Sequence, residues 1–243
     1  MDKNSEELAF IISYPHYSDI EYIYRLKEIH SLGITSILLE GDIKIGKMNI
    51  AGKGTVGIVL KAQAKSEIYA LKVRRTDANR KTMDREAALL KLANSAGIGP
   101  KIIKYSNNFI MMEFIHGLTI IDWVMQKNIT VEQVLNVVRT ILNQCYILDK
   151  SHIDHGELNR LDHHVIISKS DAVSIIDFES ASIQRKTCNV TAAFQSLFLG
   201  GFVSRQIKEI LHFIEGEKTI SALATYKRHQ NKINFENIIN NII

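Results

Sequence analysis

Gly52-Lys53-Gly54-Thr55-Val56-Gly57-Ile58-Val59 is the stretch on which the reading of this chain turns. Glycines at this spacing let backbone amides approach phosphate oxygens with no Cβ in the way. The same string occurs in plain glycine-rich hairpins and in dinucleotide-binding folds, but the latter need a helix directly after the glycines. Residues 58–62 instead have the composition of a strand, so the glycines are expected to sit in a hairpin between strands.

Moving outward, Tyr69-Ala70-Leu71-Lys72-Val73 follows as a second apolar strand with an ammonium in its middle. A half-buried lysine is costly unless it is paired. The expected pair is Glu86 in Asp84-Arg85-Glu86-Ala87-Ala88-Leu89-Leu90, where helical register puts Met83, Ala87 and Leu90 on the packed face beside it. A solvated lysine and a surface glutamate are the plain alternative for either residue alone; the glycine string before them favours the pair.

The flanks supply the architecture. Residues 1–42 read as strand, helix, strand: an apolar run at 8–13 closed by Tyr14-Pro15, a helix over 20–31, and a strand over 34–39. Asp19 is expected to cap that helix and Gly33 to stop it, with Ile23, Leu26, Lys27 and His30 at helical spacing. Strands are expected over 43–62, 67–73 and 109–114, with a helix over 78–94. From there the pattern turns helical. Thr130-Val131-Glu132-Gln133 is a capping box ahead of a stripe formed by Val131, Val134, Val138, Ile141, Cys145 and Leu148. Two short strands, 165–168 and 173–176, precede helices near 191–198, 204–216 and 219–229. A strand-rich first half and a helix-rich second half imply an α+β fold with two lobes.

Composition narrows the function classes. The 243 residues are 46% hydrophobic and 23% charged with a net charge of +4, ordinary for a globular chain that buries its own core. That charge suits phosphate-bearing ligands and is too small to imply nucleic-acid binding. Cys145 and Cys188 are read as reduced packing residues, which places the protein in the cytoplasm. No stretch reaches the ~20 apolar residues of a membrane helix, and the polar, acidic start gives no secretory signal.

At this point the chain resembles the protein kinase superfamily, over about residues 43–199 and with the motifs in the family's order. Met111-Met112-Glu113-Phe114-Ile115-His116-Gly117 looks like the strand and hinge between lobes, which implies adenine contacts from the backbone of Glu113 to Ile115. His155-Gly156-Glu157-Leu158 resembles the H-G-D-L catalytic loop of RIO-type and small-molecule kinases, and Ile175-Ile176-Asp177-Phe178-Glu179 resembles D-F-G. The resemblance implies Mg²⁺ and ATP held between a strand-rich N-lobe (43–115) and a reduced helical C-lobe (116–243), with 1–42 as an extension on the N-lobe. Gly52, Gly54, Gly57 and Val59 would cover the phosphates, Lys72 would hold them, and Glu86 would orient Lys72. Asp177, with Asp162 or Asn159, would hold Mg²⁺, and Glu157 would accept the substrate proton.

Three departures from the pattern bear on activity. Glu157 stands where the family has aspartate, which moves the carboxylate one methylene out. The loop Asn159-Arg160-Leu161-Asp162-His163-His164 lacks the family's asparagine before the next strand and is about two residues longer; Asp162 is the first choice of second metal ligand. His152-Ile153-Asp154-His155-Gly156-Glu157-Leu158-Asn159 also fits H-x-D-x-x-x-x-N, which would make Asp154 the base. Glu179 replaces the glycine after Asp-Phe, and no A-P-E string follows, which argues against control by activation-loop phosphorylation. The pruned second half resembles RIO-type kinases and compact archaeal predicted serine/threonine kinases.

The histidines raise a zinc reading, but zinc sites want three or four ligands at defined spacing and neither cysteine is near, so His155 is read as a brace for the backbone by Asp177. The resemblance implies an ATP-dependent serine/threonine protein kinase acting on a protein substrate or on itself. The alternatives are an ATP-binding scaffold with weak ATPase activity, a small-molecule hydroxyl kinase, and contact with nucleic acid or ribosome through Arg74, Arg75, Arg80, Lys81 and Arg85, a stretch read first as a solvated helix face.

Overall fold

Strand alternation and helix capping account for most elements of the computed structural model, which describes residues 3–214 and 216–242. Residues 1, 2, 215 and 243, which the expected domain bounds and the helix over 204–216 include, lie outside the described residues. The elements run α1 (Lys3–Ile12), α2 (Asp19–Leu32), β1 (Ser36–Leu38), β2 (Ile43–Ile45), β3 (Met48–Ile50), β4 (Gly52–Lys53), β5 (Gly57–Ala64), β6 (Glu67–Arg74), α3 (Asp84–Ser95), β7 (Ile102–Tyr105) and β8 (Phe109–Glu113). Then come β9 (Leu118–Thr119), α4 (Ile120–Val124), α5 (Val131–Lys150), β10 (Val165–Ile167), β11 (Val173–Ile175), α6 (Asn189–Phe194), α7 (Phe202–Leu211), α8 (Glu217–Arg228) and α9 (Lys232–Asn240). The class is α+β, strand-rich first and helical second, as expected. Two compact units result: residues 1–91 with 100–114, and residues 92–99 with 115–243.

The first unit is an antiparallel sheet in the order β1-β5-β6-β8-β7, with β4 also paired to β5 and a separate β2–β3 hairpin. Alternation in β5 and β6 sends Ile58, Leu60, Leu71 and Val73 to one face, where they share a core with Ile11, Ile12, Ile29 and Leu32 of α1 and α2. Helices α1 and α2 thus contribute to this unit's core. The expected strand over 8–13 is helix instead: Leu8-Ala9-Phe10-Ile11-Ile12 belongs to α1, because a short apolar run has no period that separates a buried strand from a buried helix face. The cap of α2 is Ser18, whose hydroxyl accepts the Glu21 amide, rather than Asp19. Its buried face carries Arg25, Ile29 and Leu32, so Ile23 is exposed. Helix α3 starts at Asp84, six residues later than expected.

Arg25 is fully buried and explains how α2 is pinned: its guanidinium donates to the carbonyls of Ile12 and Arg74, to Asn108 and to Glu21. Arg74 donates to the same Asn108 oxygen at 2.9 Å. Arg74 therefore lies on β6 inside this network, and of the basic stretch expected on a helix face only Arg85 is in α3.

In the second unit α5 is the long axis. Its capping box forms as expected between Thr130 and Gln133, and Val134, Val138, Ile141, Cys145 and Leu148 are buried, although Val131 is exposed. The same stripe ends on Asp149, whose carboxylate accepts from the Asn189 and Val190 amides, the Asn189 side chain and the Tyr226 hydroxyl. Burial is the main cause that raises the Asp149 pKa, and the Tyr226 hydroxyl is pushed up as well. A three-stranded sheet, β11-β10-β9, packs beside these helices. Cys145 is a buried thiol as expected, whereas Cys188 is exposed rather than packed. Among the described residues no helix is long and apolar enough to cross a membrane.

Candidate active-site residues

In the first unit the glycine string becomes a hairpin: Gly52 pairs with Val59, and the Gly54 amide donates to the Gly57 carbonyl at 2.8 Å. Gly57 has a steric reason. A Cβ there would lie 2.9 Å from the Val73 carbonyl oxygen and 3.2 Å from carbons of the Lys72 side chain. Lys72 sits in β6, opposite Val59 of β5 and Ile110 of β8. Its neighbours Leu71 and Val73 face the core, so the pleat directs Lys72 and Val59 to the other face together. There the Lys72 Nζ meets Glu86 Oε1 at 2.7 Å, with each side chain only 5% exposed. Glu86 lies in the first turn of α3, where the helix dipole favours a carboxylate.

Arg75 supports this hairpin, and nothing in the sequence marked it for that role. Its amide donates to the Val56 carbonyl and its guanidinium to the Gly54 carbonyl, while the Asp77 carboxylate pairs with it and raises its pKa. Glu113 ends β8 with its amide already donated to the Lys101 carbonyl. An adenine contact from the Glu113 backbone would therefore use its carbonyl. Ile115 is half-buried at the start of the second unit's main segment.

In the second unit the residues sit on loops. Gly156 has φ +91, and a Cβ there would collide with the Arg185 guanidinium and lie 2.8 Å from the Ser180 carbonyl oxygen. The next residue, Glu157, has both carboxylate oxygens engaged: Oε1 accepts the Ser180 hydroxyl at 2.6 Å and Oε2 lies 3.0 Å from His164 Nε2. The His164 side chain is 10% exposed and that of Glu157 36%. Ser180 belongs to no motif in the sequence, and the sequence gives His164 a role only among the histidines of the zinc alternative.

Asp177 follows β11 in a left-handed conformation, φ +67, and its Oδ1 accepts the Glu179 amide at 3.4 Å. Phe178 is buried and its ring meets the edge of His155. His155 braces this turn, with Nε2 3.0 Å from the Ile176 carbonyl. Burial, with His164 nearby, drives the His155 pKa down to about 4, so the ring is neutral and Nε2–H is the donor. Asp154, the rival base, is buried, bonded through its backbone to Ser182 and through its carboxylate to Arg185 Nε at 2.7 Å. Asp154 thus anchors Arg185 and Ser182, while the more accessible Glu157 carboxylate is engaged by Ser180 and His164.

Asn159 and Asp162 lie on a tight 3-10 turn, Leu158–His163, interrupted at Arg160; Asn159 is exposed and Asp162 half-buried. Among the described residues no three of His, Cys, Asp and Glu gather as a metal nest. Mg²⁺ does not need one, since it takes one or two carboxylates together with phosphate oxygens and water. The Asp177 carboxylate, just past β11, and the side-chain oxygens of Asn159 and Asp162 are of the donor type that Mg²⁺ takes.

A family model described as RIO domain matches residues 43–195. An uncharacterized protein of Methanocaldococcus jannaschii is 34% identical over 101 residues, which cover 42% of this chain and 84% of that protein.

Proposed function

This chain belongs to the RIO domain family of the atypical protein kinase-like superfamily, and on that premise we propose that it transfers the γ-phosphate of Mg·ATP to a hydroxyl, with a protein serine or threonine as acceptor. The observation that carries the reading is the buried Lys72–Glu86 pair behind a glycine hairpin. A cation and a carboxylate are not put together on a buried sheet face for stability alone, because an apolar pair of similar volume would serve as well or better.

The roles follow from the residue chemistry. Gly52, Gly54 and Gly57 form the hairpin that would cover the phosphates, and Val59 shares the face of Lys72. Glu86 fixes the ammonium of Lys72, so that its charge is already in place when phosphates arrive. Asp177, with Asp162 or Asn159, would hold Mg²⁺, which neutralises phosphate charge when bound. Glu157 accepts the proton of the attacking hydroxyl, and His164 and Ser180 fix its orientation. The exposed Cys188 thiol is consistent with a reducing, cytoplasmic setting.

A second reading, an ATP-binding scaffold with weak ATPase activity, is favoured by one observation: both oxygens of Glu157 already hold partners, so an incoming hydroxyl would have to displace one of them. The two are separated by incubating the purified chain with γ-labelled Mg·ATP and a mixture of hydroxyl acceptors. Transfer by the wild type that drops by roughly 10²-fold or more in Asp177→Ala supports the phosphotransferase. Full transfer by Lys72→Ala or Asp177→Ala would sink it. A rise in melting temperature with Mg·ATP but no transfer to any acceptor would move the protein to the scaffold reading.

A further inference from the structure

The Ser180 hydroxyl is hydrogen-bonded to the carboxylate that the proposed function makes the base. It donates to Glu157 Oε1 at 2.6 Å, the contact that a general base makes with the proton it removes. Its placement is built rather than incidental. The Ser180 carbonyl accepts from Arg185 Nη2 at 2.6 Å, Arg185 is itself held by the buried Asp154, and Gly156 is the residue that leaves room for both. The other carboxylate oxygen of Glu157 is held by His164, which leaves Oε1 as the oxygen that can take a proton. Ser180 and Glu157 are both partly accessible to solvent.

We infer that Ser180 is a phosphorylation site of this chain, the hydroxyl to which it transfers the γ-phosphate of a nucleoside triphosphate within one molecule. The inference rests on the phosphotransferase reading and names its acceptor. In the step, Ser180 Oγ forms a bond to the γ-phosphorus while the bond from that phosphorus to the β,γ-bridging oxygen breaks. The electron pair leaves with the nucleoside diphosphate, and the Ser180 proton passes to Glu157 Oε1. The phosphoserine formed is an anion beside the Glu157 carboxylate and is repelled from it. Arg185, half exposed and already bonded to the Ser180 carbonyl, is the cation positioned to receive it.

The test uses the full-length chain with γ-labelled Mg·ATP, followed by peptide mapping, ADP release and thermal melting of wild type, Ser180→Ala and Ser180→Thr. The expected result is label on the peptide containing Ser180, retained in Ser180→Thr and gone from Ser180→Ala. The rate of labelling per chain should be independent of protein concentration, which a merely structural hydroxyl would not produce. Label that persists in Ser180→Ala, maps to another residue, or appears at a rate that grows with protein concentration overturns the inference and leaves the phosphotransferase reading standing. ADP release by the wild type with no phosphoserine at 180 does the same. Neither ADP nor label from the wild type overturns both. If Ser180→Ala melts far below the wild type, direct mapping of the wild type and the Ser180→Thr variant decide.

Discussion

Lys72 and Glu86 lie 2.7 Å apart on a strand and a helix with each side chain 5% exposed, whereas Glu157 is held between two loops with its side chain 36% exposed. In the first unit the register of β6 against β5 and β8 leaves Lys72 no other face, and α3 supplies the counter-charge. In the second unit no regular element carries Glu157, and its position depends on Gly156, Ser180, His164 and Arg185 together. A buried pair on regular elements is therefore tied to the stability of its unit. A loop carboxylate held by partly exposed hydrogen bonds can be changed with little effect on folding.

That contrast can be broken most directly by removing one charge from each unit. Lys72→Ala leaves the Glu86 carboxylate without the ammonium beside it, and the expected loss is about 3–5 kcal/mol, read as a lowered urea midpoint at an unchanged slope. Glu157→Gln should change the unfolding free energy by less than about 1 kcal/mol, while lowering phosphotransfer by roughly 10²–10⁴-fold. Equal stability losses in the two variants would end the comparison.

Acid sharpens it. The folded His155 pKa of about 4 lies below its ordinary value of 6.5 because the ring is buried. Between those pH values the unfolded chain binds a proton that the folded chain refuses. Stability is therefore full above about pH 6.5 and falls as the pH drops toward 4, by about 3 kcal/mol from this group. Denaturant midpoints across that range, compared with His155→Leu, should show a shallower slope in the variant; an unchanged slope would remove His155 as the cause. The smallest effect is expected at the N-cap of α5. Thr130→Ala loses the hydroxyl that accepts the Gln133 amide and should cost about 1 kcal/mol, measurable as a slightly lower melting temperature with phosphotransfer unaffected.

Some of this was legible in the residues and some was not, for specific reasons. The β5–β6 hairpin, the Lys72–Glu86 pairing and the capped helix α5 could be read because each depends on local period or on a residue type that is costly unless paired. Helix α1 could not, since the five residues Leu8 to Ile12 are apolar without a period. The start of α3 was misplaced because residues 75–83 have a helix-compatible composition but are drawn into loop contacts: the Arg75 amide donates to Val56, and the Met83 amide to Asn107. At the site, Ser180, Arg185 and His164 are separated from Glu157 by loops whose path no spacing rule predicts. The pairing of Asp154 with Arg185 likewise joins residues whose separation in the chain follows no spacing rule.

The sequence by itself determined a glycine hairpin followed by a strand lysine, a helix glutamate and a strand-end aspartate, and through their order the family of the fold. Alternation, helical period and the cost of an unpaired buried charge act within a few residues, so they can be read along the chain. Only the tertiary structure decided that Glu157 is held by His164 and Ser180, that Asp154 is an anchor, and that Arg75 braces the glycine hairpin. Those contacts join residues brought together by the packing of the core and by backbone turns such as Gly156 and Asp177, and hydrogen bonds of that kind have no period to leave in a sequence.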